Sequence, residues 1–262
     1  LMHAKLRSGW RIQRRVVGAL MVRELVTRFG RENIGFLWIM VEPLLFAVLV
    51  GVLWRYMKGP EEHGVSVIAF VASGYLPLVL FRHSVVRSVR VFSVNGSLMY
   101  HRQIKVLDFV LVRFLIEMIG TAMAYLFIAL LLMSINEFPV PADLGLLIGG
   151  FLVYAAFTFS LCLILAPLSE ISDLAERFIP VTTYIMIPFS GTFNMVSWLT
   201  PEAQDAMYYS PFVHGMEMMR EGIFGEGVDA RWDLTVPIAA TMVFTVIGLS
   251  LCRRVRRQLV VE

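Results

Sequence analysis

The sequence has two cysteines and little charge, with Asp, Glu, Lys and Arg making up 16% of its 262 residues. Cys162 falls inside one apolar stretch and Cys252 at the end of another, and no CxxC pair occurs. Neither a disulfide framework nor a thiol-based metal or redox centre is expected. Also missing is a Gly-rich loop ending in Lys-Ser or Lys-Thr, whose amides and lysine would cradle nucleotide phosphates. The chain therefore cannot itself be the ATPase of a pump. HExxH and GxSxG are absent and the five histidines show no ligand spacing, so neither a catalytic site nor a bound metal is expected. Low-complexity linkers and internal repeats are lacking too, which favours one domain over 1–262. Without an inverted repeat, an ion-coupled secondary transporter gains no support. The first thirty residues are basic but hold no short apolar core followed by a cleavage site, so a signal peptide is not expected.

What is present is apolar length. The chain is 58% hydrophobic, and stretches at 35–56, 65–85, 108–134, 144–168, 174–191 and 233–252 approach the roughly 20 residues a helix needs to cross a bilayer core. Spanning strands would alternate in polarity, so helices are the expected form. Basic residues crowd Lys5–Arg31, Arg82–Lys105 and Arg253–Arg257, whereas the joints Lys58–Gly64 and Asn136–Asp143 are net acidic. By the positive-inside rule the basic segments and both termini face the cytoplasm. Residues 9–31 read as an amphipathic interface helix, with Ile12, Val16, Leu20 and Phe29 able to share an apolar side. Residues 191–229 are too long for a turn and too polar to span, yet rich in aromatics. Short re-entrant helices in the outer leaflet or an interfacial aromatic belt both fit. The predicted fold is an all-α membrane protein of six transmembrane helices, with the interface helix before them and re-entrant helices before the last span.

Glu42, Arg113 and Glu117 are the ionisable residues expected to lie within a span rather than at its end. Charge at depth is costly and is usually paired or faces a cavity. Arg113 and Glu117 stand one turn apart, which favours an intrahelical pair. Gly145 and Gly149 form a GxxxG pair suited to close helix packing. Trp38, Tyr75, Phe81, Arg82, His83, Arg87 and Phe92 could line a route from the cytoplasm into the bundle. There, rings would stack on sugars and arginines would pair with carboxylates or phosphates. The same residues equally suit interfacial anchoring.

Residues 23–45 read RELVTRFGRENIGFLWIMVEPLL. They resemble the approach to the first span in type-2 ABC exporter permeases, above all the capsular polysaccharide export subfamily (REL-x-TRFG, G-x-LW, EP). Leu98–Asp108 is similar to that family's cytoplasmic segment after the second span. Ser210–Gly222, SPFVHGMEMMREG, is similar to its NP-LVH-x-x-E-x-x-R element, with Ser210 where the family has Asn. The resemblance implies a homodimer on the bacterial inner membrane that exports a lipid-linked polysaccharide. Two separate ATP-binding cassette subunits would carry Mg-ATP, and this chain would hold no cofactor. A periplasmic adaptor and an outer-membrane channel would receive the polymer; membrane lipids are further partners, and nucleic acid is not. It also implies coupling to the ATPase through Arg23, Glu24 and Arg28, through Tyr100, His101, Arg102 and Lys105, and through Glu170, Asp173 and Glu176. Tyr184 and Trp198 join the candidate pathway. The same fold moving O-antigen, teichoic acid or a small hydrophobic compound remains an alternative.

Overall fold

The computed structural model describes residues 2–29, 35–99 and 104–259. Tyr100, His101 and Arg102 lie outside the described residues, as does the side chain of Trp38. The chain runs from α1 (Met2–Phe29) through α2 (Gly35–Lys58) to a two-stranded antiparallel hairpin, β1 (Glu61–Glu62) and β2 (Val65–Ser66), in which Glu61 pairs with Ser66. Then follow α3 (Val67–Ser88), α4 (Val91–Val94), α5 (Gly96–Met99), α6 (Val106–Ser134), α7 (Leu144–Ile171) and α8 (Asp173–Ile185). Short 3-10 turns at Pro188–Ser190 and Val196–Trp198 precede α9 (Pro201–Tyr208), α10 (Pro211–Phe224) and α11 (Thr235–Leu259).

Helix starts follow local chemistry. Asp143 accepts from the amides of Gly145 (2.7 Å) and Leu146 (3.1 Å) at the head of α7, and the Ser172 hydroxyl accepts from Ala175 N (3.3 Å) at α8. These side chains satisfy first-turn donors that have no intrahelical acceptor. Asp108 bonds back to the amide of Lys105 at 2.9 Å, closing the start of α6.

Four helical segments among the described residues are long and apolar enough to cross a membrane: Val67–Ser88, Val106–Ser134, Leu144–Ile171 and Thr235–Arg257. They match four of the six predicted stretches. The stretch 35–56 is indeed one continuous helix, α2. Its 24 residues give about 36 Å of helix at 1.5 Å per residue, with Glu42 in the first half. The stretch 174–191 is shorter than expected: α8 has 13 residues and ends at Ile185, giving about 20 Å of helix. Pro188 has no amide with which to continue the ladder, and the chain turns instead through Pro188–Ser190.

α7 is the central post, packed by α3, α6, α8, α10 and α11. Its contact with α10 is nearly backbone to backbone. A Cβ on Gly150 would lie 2.7 Å from Gly215 O and Met219 N, and one on Gly222 would lie 2.8 Å from Asp143 O. Asp143 N donates to Gly222 O at 2.9 Å across the same seam. Small residues let helices approach this closely, but the seam is one residue away from the predicted GxxxG pair. Gly149 meets only the end of Met218, and Gly145 only its own capping carboxylate. Beneath lies an aromatic knot in which Phe212 meets Phe81 (4.7 Å between centroids), Phe157 (4.8 Å) and Tyr154 (5.0 Å).

The loops sort to two ends. At the acidic end, Glu137 pairs with Arg55 and accepts from the Ser66 hydroxyl at 3.2 Å, joining the hairpin to the α6–α7 joint. At the basic end, the α3–α6 connection meets the α7–α8 joint through Arg90, which pairs with Asp173 and Glu176.

Gly150→Ala is expected to destabilise the detergent-purified protein by about 1–3 kcal/mol through overpacking. Gly149→Ala should leave the thermal unfolding midpoint nearly unchanged, since only the flexible tip of Met218 must move.

Candidate functional site

At the basic end, α3 stops at Ser88 and the backbone turns sharply at Arg90, whose φ of 49° is left-handed. That turn sets the Arg90 amide 3.0 Å from the Ser169 hydroxyl and its guanidinium 3.0 Å from Asp173 and 2.7 Å from Glu176. Glu170 accepts from the amides of Phe92 and Ser93, both at 3.0 Å. α4 is thus seated on the α7–α8 joint, where the predicted coupling residues Glu170, Asp173 and Glu176 lie. α1 lies against the same surface. Arg23 donates to Asn95 Oδ1 at 3.1 Å, and Gln13 bonds to Asp108, the residue that closes α6. Lys105 sits at that start through its backbone.

Next to it is a knot of charge centred on Glu117, which is 1% exposed. Its carboxylate pairs with Arg28 of α1 and with Arg87 Nε of α3 (2.8 Å), and His83 Nδ1 lies 3.6 Å away. The other His83 nitrogen is 3.8 Å from Glu42 of α2. Arg113 does not pair with Glu117, contrary to the intrahelical pair expected from their spacing. It reaches Glu24 of α1 at 3.2 Å and donates to the Arg87 carbonyl at 2.6 Å. The physical reason is that neighbouring helices supply stronger partners. A carboxylate this deep is costly unless several donors satisfy it, and α1 and α3 each bring one.

The candidate pathway residues separate into three groups. Tyr75, Arg82, His83, Arg87 and Tyr184 gather on the side formed by α2, α3 and α8. There Tyr75 stacks on Phe46 at 4.2 Å, and the Arg82 guanidinium lies 4.3 Å over the Tyr184 ring. Tyr184 is 59% exposed, and Arg82 Nε is buried with no hydrogen-bond partner. Phe81 and Phe92 are instead packed in the core, so within one chain they support the wall rather than line it. Trp198 lies at the acidic end, against Phe70 (4.7 Å) and His63 (4.5 Å).

Sequence reasoning singled out Ser210–Gly222 without seeing what its polar residues hold. His214, Glu217 and Arg220 recur every three residues along α10, and each is bonded to backbone. Arg220, wholly buried, donates to the carbonyls of Gly191 (2.6 Å), Asn194 (3.0 Å) and Thr192, while its guanidinium covers Phe70 at 3.8 Å. Glu217 accepts from Val196 N (3.1 Å) and Arg231 N (3.0 Å). His214 Nδ1 accepts from Asp233 N (3.0 Å), so its other nitrogen is the donor to Tyr208 O at 2.8 Å. α10 is therefore the spine that holds both the incoming 191–199 segment and the outgoing 228–233 segment. Ser210 does not cap α10; its hydroxyl donates to Phe189 O at 2.6 Å, and Pro211 opens the helix.

The chain matches the ABC-2 type transporter family over residues 15–224, from within α1 to the end of α10. It belongs to that family. It is 35% identical over 240 residues to the capsule polysaccharide export inner-membrane protein CtrC of Neisseria meningitidis serogroup B, covering 92% of this chain and 91% of that protein. It is 32% identical to the capsule polysaccharide export inner-membrane protein BexB of Haemophilus influenzae, at 92% and 91% coverage. Identity to the polysialic acid transport protein KpsM of Escherichia coli is 23%, at 94% and 96%.

The ABC-2 transporter match ends at Phe224, so the linker into α11 lies beyond it. That linker is tied back electrostatically. Asp233 accepts from the amide and hydroxyl of Thr235, both at 2.8 Å, and from the Tyr208 hydroxyl at 2.8 Å. The donors, the Thr235 amide first, hold the Asp233 carboxyl below its ordinary range, and the same contact pushes the Tyr208 phenol up.

Arg220→Met is expected to cost on the order of 3 kcal/mol, because it strips buried carbonyls of a charged donor. Limited proteolysis should then cut 191–199 in a protein whose α3–α7 core stays protected. For Asp233, the folded pKa lies below the unfolded one. Its stabilisation is therefore present above the ordinary carboxylate range and is lost as pH falls through the folded value. Asp233→Asn should flatten that acid limb in thermal unfolding measured against pH.

Proposed function

We propose that this chain is the membrane-spanning subunit of an ATP-driven exporter of lipid-linked capsular polysaccharide in a bacterial inner membrane. In this reading two copies form the translocation route and two separate ATP-binding cassette subunits, which carry Mg-ATP, dock on the basic, cytoplasmic end. The observation that supports it most directly is the similarity, over nine-tenths of the chain, to proteins named for capsule polysaccharide export. The arrangement of the basic end supports the ATPase part. α1, α4 and the α7–α8 joint form one charged surface, bound by Arg23–Asn95, Arg90–Asp173 and Arg90–Glu176.

The proposed working cycle uses that surface. Closure of the ATPase pair pushes α1 and α4 together with the α7–α8 joint, and the push reaches α3 and α8, which carry the candidate route. α2 and α8 complete six crossings, each with its exposed apolar side against lipid or the second copy. The 191–199 segment, α9 and α10 form a re-entrant outer gate braced by Arg220, and both chain ends lie in the cytoplasm. The polymer passes to a periplasmic adaptor and an outer-membrane channel.

The cation best suited to an anionic polymer or its lipid phosphate is Arg82. Arg87 and Arg90 are committed to Glu117 and to Asp173 with Glu176. Arg82 has no carboxylate partner among the described residues and lies over an exposed tyrosine ring. Two results are expected. The chain and its ATP-binding cassette partner should co-purify with two copies of each, and loss of that complex would overturn the reading. Arg82→Ala should lower surface polysaccharide by about tenfold, the loss expected for one charge-assisted contact, while ATP hydrolysis persists. Unchanged export would remove Arg82 from the route.

A further inference from the structure

We propose that Glu117 is the positioning residue that makes the ATPase-facing helix α1 and the route-bearing helix α3 move as one body. This rests on the functional reading above for the roles of the two helices, but the linkage itself is geometric. α1 lies chiefly on α6 and touches α2, while α3 packs on the same two helices. One carboxylate on α6 therefore stands between them, 1% exposed, paired with Arg28 from α1 and with Arg87 from α3. A second crossing runs through Arg113, also on α6, which joins Glu24 of α1 to the backbone carbonyl of Arg87. Glu42 of α2 is drawn in through His83.

The physics of burial makes this arrangement a linkage rather than a collection of surface pairs. Exposed ion pairs are worth little, because water replaces a departing partner. Glu117 has no such replacement. If α1 shifts off α6 without α3, the carboxylate loses Arg28 and keeps Arg87 with the more distant His83, both on α3; if α3 shifts alone, Arg28 is left without either of them. Either state leaves charge under-compensated out of water. The low-energy displacements are those in which Arg28 and Arg87 both stay on Glu117, so motion imposed on α1 is delivered to α3. A purely structural Glu117 would set stability but not the correlation between the two helices.

The test reads that correlation directly. Spin labels go at Gly18→Cys on α1 and Val86→Cys on α3, both exposed, with Cys162→Ser and Cys252→Ser. Pulsed dipolar spectroscopy measures the α1–α3 distance in lipid nanodiscs, for the complex with its ATPase and for the chain alone. Measurements are made with and without a non-hydrolysable ATP analogue. The parent should show one narrow distribution in every state. Glu117→Gln should broaden it in the chain alone, and in the complex the analogue should shift the α1–α3 distance. ATP hydrolysis should persist while Alcian-blue-stained surface polysaccharide falls about tenfold, within the usual span of a coupling free energy. Glu117→Asp, which keeps the charge, should restore both readouts at least in part. If Glu117→Gln does not fold, Arg28→Gln carries the same expectation from the α1 side. A narrow, nucleotide-independent distribution in Glu117→Gln or Arg28→Gln, with export intact, would overturn the proposal. If no complex with an ATPase forms, the functional reading fails, while the chain-alone distances still decide the linkage.

Discussion

A carboxylate removed from water must be neutralised by groups that cannot drift away, and much of the arrangement at the basic end follows from that demand at Glu117. It sits on the fourth turn of α6, inside a helix that is otherwise apolar enough to cross a membrane. Its two guanidinium partners come from two different helices, so satisfying one buried charge also ties α1 and α3 to the same point. The neighbouring arginine then has no carboxylate left on its own helix and turns to Glu24 and a main-chain carbonyl. The pattern of pairs looks irregular in sequence, but it is the consequence of distributing two cations around one anion.

The opposite end solves a related problem with main-chain groups instead of charges. Between α8 and α11 the chain makes short turns whose amides and carbonyls lack regular helical partners. Buried groups of this kind must be bonded. His214, Glu217 and Arg220 supply those bonds from one side of α10, holding residues from Gly191 to Val196 and from Arg231 to Asp233. α10 in turn is held against α7 by glycines at Gly150, Gly215 and Gly222 that leave no room for side chains. The gate region proposed here is thus rigidly attached to α7, and α7 also carries Ser169 and Glu170 at the basic end. One continuous helix joins the two functional ends.

This geometry also changes which residues can serve a polymer. An arginine-rich stretch before α4 looks in sequence like a basic track. In the fold, Arg87 and Arg90 are occupied by carboxylates, Tyr75, Phe81 and Phe92 are core, and among the described residues of this stretch Arg82, lying over the exposed Tyr184 ring, is the cation without a carboxylate partner. In the proposed reading, electrostatic attraction by the segment as a whole gives way to a single contact at Arg82.

Membrane residence, helical form including that of the first segment, the missing phosphate loop and the family itself were all legible in the residues. Each depends on local composition, short motifs or apolar length, which do not require knowing what packs where. Among the described residues four of the six long apolar stretches appear as helices able to cross a membrane, α2 runs unbroken over its stretch, and α8 ends at Ile185, ahead of Pro188. Pairing was not legible. Spacing placed Glu117 with Arg113 and put the close helix seam at Gly145–Gly149, because intrahelical neighbours are the only ones a sequence displays. The partners of a buried charge and the phase of a helix contact depend on residues far along the chain, such as Arg28 and Gly215. Only the tertiary structure decides those, since burial sets the cost of an unpaired charge and packing sets which neighbours are close enough to meet it.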